Sequence, residues 1–155
     1  MMDKELLRGL EEHHRVIRVG LTLIQSHCAT DCANIAGLEK ARLDLTRASR
    51  ERSAFVSDCI IPRLLETADS DDRAALSDFL VAFTSKRLIS DKHIERWTDD
   101  KIAADVPGYC AAARTIWSMM EEQMERETRV LGARLLRNSE LCLSLIHISE
   151  PTRPY

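Results

Sequence analysis

Along the first thirty residues apolar side chains recur at alternating spacings of three and four. Leu7, Leu10, Ile17, Leu21, Ile24 and Cys28 fall on one helical face, with His14 in the middle of it. The pattern predicts a helix from Asp3 to Cys28, with Asp3 as its cap and Glu5 in its first turn. Leu6, Leu10, His13, Ile17 and Ile24 make nearly as good a stripe, so the choice of inward histidine stays open. A polar link, Ala29 to Asn34, leads to a second helix from Ile35 to Glu66. Its middle, TRASRERS at Thr46 to Ser53, is polar, and its apolar face recovers at Phe55, Val56, Ile60 and Leu64. Pro62 interrupts that recovery and is expected to bend or shorten the last turns, since proline removes a helical hydrogen bond. Asp69-Ser70-Asp71-Asp72 supplies capping oxygens and acidic charge for a third helix, which carries Leu76, Phe79, Phe83, His93, Ile94 and Trp97. After a break at Asp105-Val106-Pro107-Gly108, a fourth stripe of Ile116, Met120, Gln123, Glu127 and Val130 runs on to about Arg137. Four long helices with short links, and no strand pattern, predict an all-α fold: an antiparallel, up-down-up-down four-helix bundle.

The last thirteen residues do not continue this pattern. Leu143 to Arg153 reads LSLIHISEPTR, the translation of a transposase adapter used in sequencing libraries, so 142–155 is excluded from the fold and 1–141 is taken as one domain. That removes His147 from the ligand candidates. Of the four prolines only Pro62 and Pro107 then remain, in a chain rich in helix formers. A net charge of -3 without a clustered basic face argues against a nucleic-acid partner. No apolar run approaches the ~18 residues of a membrane span, and no signal peptide is evident, so a cytoplasmic protein with no membrane role is expected. Cys28, Cys32, Cys59 and Cys110 are scattered, resemble no zinc ribbon and should stay reduced. Cys28 and Cys32, four apart at the end of the first helix, come close together there; a redox or metal role stands beside a reading as two small semi-buried side chains.

Two polar residues on apolar stripes point to chemistry. A core-facing His14 needs a partner for its ring nitrogens, because an unpaired buried polar group costs about 1–3 kcal/mol. Glu127 shares its stripe with core residues, and carboxylates are rarely buried unless paired or bound to a cation. In a bundle the two stripes converge, so His14 and Glu127 are expected to meet, either as ligands of iron or manganese or as a metal-free hydrogen-bonded pair.

Those residues carry a resemblance. LLRGLEEHHRVIRVGLTLI is similar to the opening Leu-x-x-x-His-x-x-Ile helix of the hemerythrin-like (HHE cation-binding) domain family. SDCIIPRLLETADSDDRAA resembles the end of that family's second helix and the acidic turn after it. RWTDDKIAADVPGYCAAAR resembles the link into the fourth helix in a bacterial subgroup, and MERETRVLGARLL resembles that helix, with Gly132 where the family often has proline. The resemblance implies a four-helix bundle with a non-haem di-iron centre. The family's ligand positions fall on His14, on Ser53 and Ser57 of the second helix with Asp58 adjacent, on His93, and on Gln123 and Glu127. The serines and the glutamine depart from the family's His-x-x-x-Glu pairs. The candidate metal ligands are therefore His14, Glu127, His93 and Asp58, a set suited to one iron rather than two, or to none. With iron, the expected role is sensing or storage of O2 or NO rather than enzymatic turnover. Without it, the alternative is a helical interaction module for a protein partner of unknown kind, its register fixed by a His14–Glu127 pair. No phosphate loop, nucleophile elbow or HExxH motif is present.

Overall fold

The computed structural model describes residues 2–140, and the adapter-like segment 142–155 lies outside the described residues. Every regular element among them is helical. Helix α1 spans Asp3–Ala29, α2 Ile35–Phe55, α3 Ile61–Leu65, α4 Ser70–Arg96, α5 Asp99–Ala104 and α6 Val106–Glu127, with helical backbone again over 133–140.

Local chemistry sets most of these boundaries. Asp69 accepts a hydrogen bond from the Asp72 amide (2.8 Å) and caps α4, as its acidic run predicts. Asp105 caps α6 through the Gly108 amide, which moves Pro107 and Gly108 out of the expected break and into the first helical turn. The six-residue α5, capped by Thr98, lies just before that stretch and separates α4 from α6. Asp3 does not cap α1; it is the first helical residue, and its carboxylate takes the Arg63 guanidinium at 3.1 Å. The second long helix is interrupted as Pro62 requires. Val56–Ile60 widens into a π-helical turn in which the Ile61 amide reaches back five residues to the Val56 carbonyl, before α3 resumes around the proline. A second π-helical turn, Thr128–Gly132, comes directly after α6.

The helices close on three apolar layers. Leu6, Leu10, Val56, Ile60, Phe79 and Leu131 belong to the first, Ile17, Leu21, Ala48, Met120 and Met124 to the second, and Ile24, Leu38, Ala41, Ile102 and Tyr109 to the third. Cross-helix contacts fix the register. Asp3 meets Arg63, Gly9 lies under the Phe55 ring, and Gly37 lies beside His27. Leu7 packs near Gly132, while Arg134 and Arg137 both bind Asp72 at the start of α4.

Candidate functional site

His14, between Leu10 and Ile17 on α1, faces the interior and is 2 % exposed. His13 instead packs half-buried against the Phe55 ring, with centroids 4.9 Å apart. The inward face therefore takes His14 from one of the two stripes and Leu6 from the other, with Leu7 only half-buried. Opposite it, Glu127 at the end of α6 is fully buried, and His14 Nε2 lies 2.8 Å from its Oε1. The other carboxylate oxygen accepts from Gln123 Nε2 at 2.8 Å and from Arg52 Nη1. A half-buried Ser49 hydroxyl accepts from Arg52 Nη2 at 3.3 Å, and the Arg52 guanidinium lies over the Phe83 ring. His14, Arg52, Gln123 and Glu127 thus form a polar layer between two apolar ones.

Burial is the largest influence on Glu127 and pushes its carboxyl up. The His14 hydrogen bond, the Arg52 charge and the Gln123 amide together outweigh it and hold the carboxyl below its ordinary value. With the carboxylate ionised, His14 donates through Nε2. Both π-helical turns begin near this layer, one directly after Glu127 and the other a few residues after Arg52. Such turns widen the helix locally and rotate the next residues to a new face.

The other two candidate ligands lie elsewhere. Asp58 is exposed on the first π-helical turn. His93, near the end of α4, is half-buried and stacks on Tyr109 with ring centroids 5.9 Å apart, while Ile94, its rival for the inward face, is exposed. Burial, with a smaller contribution from Arg42, lowers the His93 pKa to about 4. No helix among the described residues is long and apolar enough to cross a membrane.

Between α2, α4 and α6 opens a cavity of about 510 Å³. Phe83, Tyr109, Ile116, Trp117 and Met120 give it apolar walls, and Ser49, Ser53 and His93 add polar groups. Its cationic lining, Arg42, Arg50, Arg52, Lys86 and Arg87, outnumbers Asp58 and Asp91. Three buried polar atoms find no hydrogen-bond partner among the described residues: Arg42 Nη2, Arg52 Nε and Gln123 Oε1. All three belong to side chains that line this cavity.

No protein-family model, curated protein or solved structure matches the chain.

The remaining cluster is of cysteines. Cys28, Cys32 and Cys110 bring three sulfurs within 4.8 Å of one another, the group of metal-capable side chains that converges among the described residues. The four-residue spacing singles out Cys28 and Cys32, but Cys32 lies beyond the end of α1 and a left-handed link brings it back; nothing in the sequence points to Cys110, which reaches them from α6. Arg52 carried no signal either. It sits in the polar middle of the second helix, where a surface arginine is the ordinary expectation, and only the facing carboxylate of Glu127 explains its burial.

Proposed function

We propose that this chain is an antiparallel four-helix bundle of the hemerythrin-like type whose interior polar layer is metal-free, and that it binds a small organic anion in the cavity beside that layer. The antiparallel reading is supported by register: residues at the start of α1 meet the end of the α2–α3 helix, and the start of α4 meets the end of the last helix. The metal-free reading is supported by Glu127, whose two oxygens are taken by His14 on one side and by Arg52 and Gln123 on the other. A cation placed there would sit against a guanidinium, an unfavourable neighbour at low dielectric.

The observation that carries the ligand reading is the cationic lining of the cavity, Arg42, Arg50, Arg52, Lys86 and Arg87. Arg52 and Gln123 are more than nine-tenths buried, and they and Arg42 line one cavity that combines apolar walls with an excess of cationic side chains. Guanidinium groups bind carboxylates bidentately or singly, so a cavity with this lining favours an anionic head group. The volume lies within the range of small-molecule sites, roughly 300–1,000 Å³. The ligand class that fits is a carboxylate head on an apolar body, and the role is binding rather than turnover.

Thermal melting with decanoate, decanol and decylammonium tests this, because the three share a chain and differ in charge. Decanoate should raise the melting temperature in a saturable way and quench Trp117, with the other two much weaker. Equal shifts from all three, or none, would remove the anion site. The rival reading, iron held by His14 and Glu127 with O2 or NO as ligand, predicts metal in protein purified without a tag and a melt lowered by chelator. The metal-free layer predicts a melt that chelator leaves in place.

A further inference from the structure

Three thiols converge at the far end of the fold from Glu127. Cys28 stands in the last turn of α1, Cys32 stands in the link after it, and Cys110 stands in the second turn of α6. The backbone bends sharply to place Cys32: Asp31 and Cys32 both adopt left-handed conformations, with φ of 54° and 52°. Neither is glycine, so each costs on the order of 1–2 kcal/mol. The Cys32 amide is tied to the His27 carbonyl at 2.8 Å, and its side chain is turned back under the helix to 2 % exposure. Strain of this kind collects where a side chain must be held in one place.

We propose that Cys28, Cys32 and Cys110 form a three-sulfur site for a soft, thiophilic metal ion, and that the ion is Cu(I). Thiolate sets select copper(I), zinc and iron–sulfur centres over harder ions. Zinc bonded to protein alone closes its shell with four ligands, and no fourth His, Cys, Asp or Glu joins the group among the described residues. Copper(I) is satisfied by three. At a metal–sulfur distance of about 2.3 Å, a trigonal ion spans sulfurs about 4 Å apart. The Cys32–Cys110 separation is 3.9 Å, and the other two sulfur pairs lie within 4.8 Å, so a small inward rotation of Cys28 completes the triangle. On binding, each thiol that ligates releases its proton to solvent, and the copper keeps its oxidation state. Cys32 and Cys110 are buried and Cys28 is half-buried, and Tyr109 lies in the same apolar layer with Trp97 and Trp117 packed against it.

The test uses the full chain carrying Cys59→Ser and Cys142→Ser, so that only these three thiols remain. Under anaerobic conditions it is titrated with Cu(I) against bicinchoninate, and separately with Zn(II). One equivalent of Cu(I) should be withdrawn from the competitor, with sulfur-to-copper near-ultraviolet absorption and quenching of tryptophan fluorescence. Outer-shell partners of a metal alone are worth about 10–100-fold in affinity, so Cys28→Ser or Cys110→Ser should weaken binding by more than about 100-fold. X-ray absorption of the copper-loaded protein should show three sulfurs at about 2.3 Å, a readout that does not depend on the variants folding. Failure to compete for Cu(I), a copper shell with fewer than three sulfurs, or tighter retention of Zn(II) than of Cu(I) would each overturn the assignment.

Discussion

Glu127 is the residue on which the interior turns, and its partners are unequal. Arg52 brings a permanent guanidinium charge to one carboxylate oxygen, and His14 a hydrogen bond to the other. Removing one member of a buried ion pair costs about 3–5 kcal/mol, because the other charge stays behind. Arg52→Ala should therefore destabilise by about that amount. His14→Ala should cost on the order of 1–3 kcal/mol, since Arg52 and Gln123 still hold the carboxylate. Arg52→Met with Glu127→Leu should recover most of the Arg52→Ala loss, and chemical denaturation of the three variants checks the order. The ionised carboxylate also sets an acid limit. With its folded pKa below the ordinary 4.5, its contribution is complete above that pH and is lost as pH falls through the folded value. His93 acts over a higher window. In the unfolded chain it protonates near 6.5, in the fold only near 4, so stability is full above pH 6.5 and declines as pH falls toward 4. Melting as a function of pH should show this slope, and His93→Phe should flatten it.

At the scale of elements, the long helices were legible because their apolar positions keep a period near 3.6 and their starts carry Asp69 and Asp105. The π-helical turns were not legible. Pro62 announces a disturbance, but whether the chain kinks, stops or widens depends on which residues must face inward on either side of it. Gly132 carries no local mark of the second turn at all. The glycines also separate by what surrounds them. A Cβ on Gly9 would fall 2.5 Å from the Phe55 ring, so Gly9→Ala must displace that ring from its packing and should cost about 1–3 kcal/mol. On Gly132 the nearest side-chain atom outside its own turn is Leu7 Cδ1 at 3.5 Å, an ordinary contact. Gly132→Ala should therefore be tolerated and gain up to about 1 kcal/mol from lower chain entropy in the unfolded state. Thermal unfolding of the two variants should show shifts of opposite sign.

For the whole molecule, His14 and Glu127 could be paired from sequence because each breaks an apolar stripe in a helix long enough to have only one interior face. Arg52, Arg42 and Gln123 could not be assigned to a shared cavity, since that depends on how three helices splay around it and leaves no periodic trace. The thiol triad escaped for the same reason, with Cys110 78 residues from Cys32. Arg42, Arg52 and Gln123 all line the cavity proposed to take an anion, and Arg42 is the side chain to change. Its Nη2 is buried and unpartnered, it lies over the Tyr109 ring, and its nearest carboxylate, Asp99, is 3.9 Å away. Calorimetric titration of decanoate into wild type and Arg42→Met is the most direct measurement. A single saturable site in the wild type, weakened on the order of tenfold or more by Arg42→Met, which keeps the apolar stem and removes a charge-assisted hydrogen bond of about 1.5–3 kcal/mol, is the predicted result. Equal affinity in the two proteins, or no saturable binding in the wild type, would contradict it.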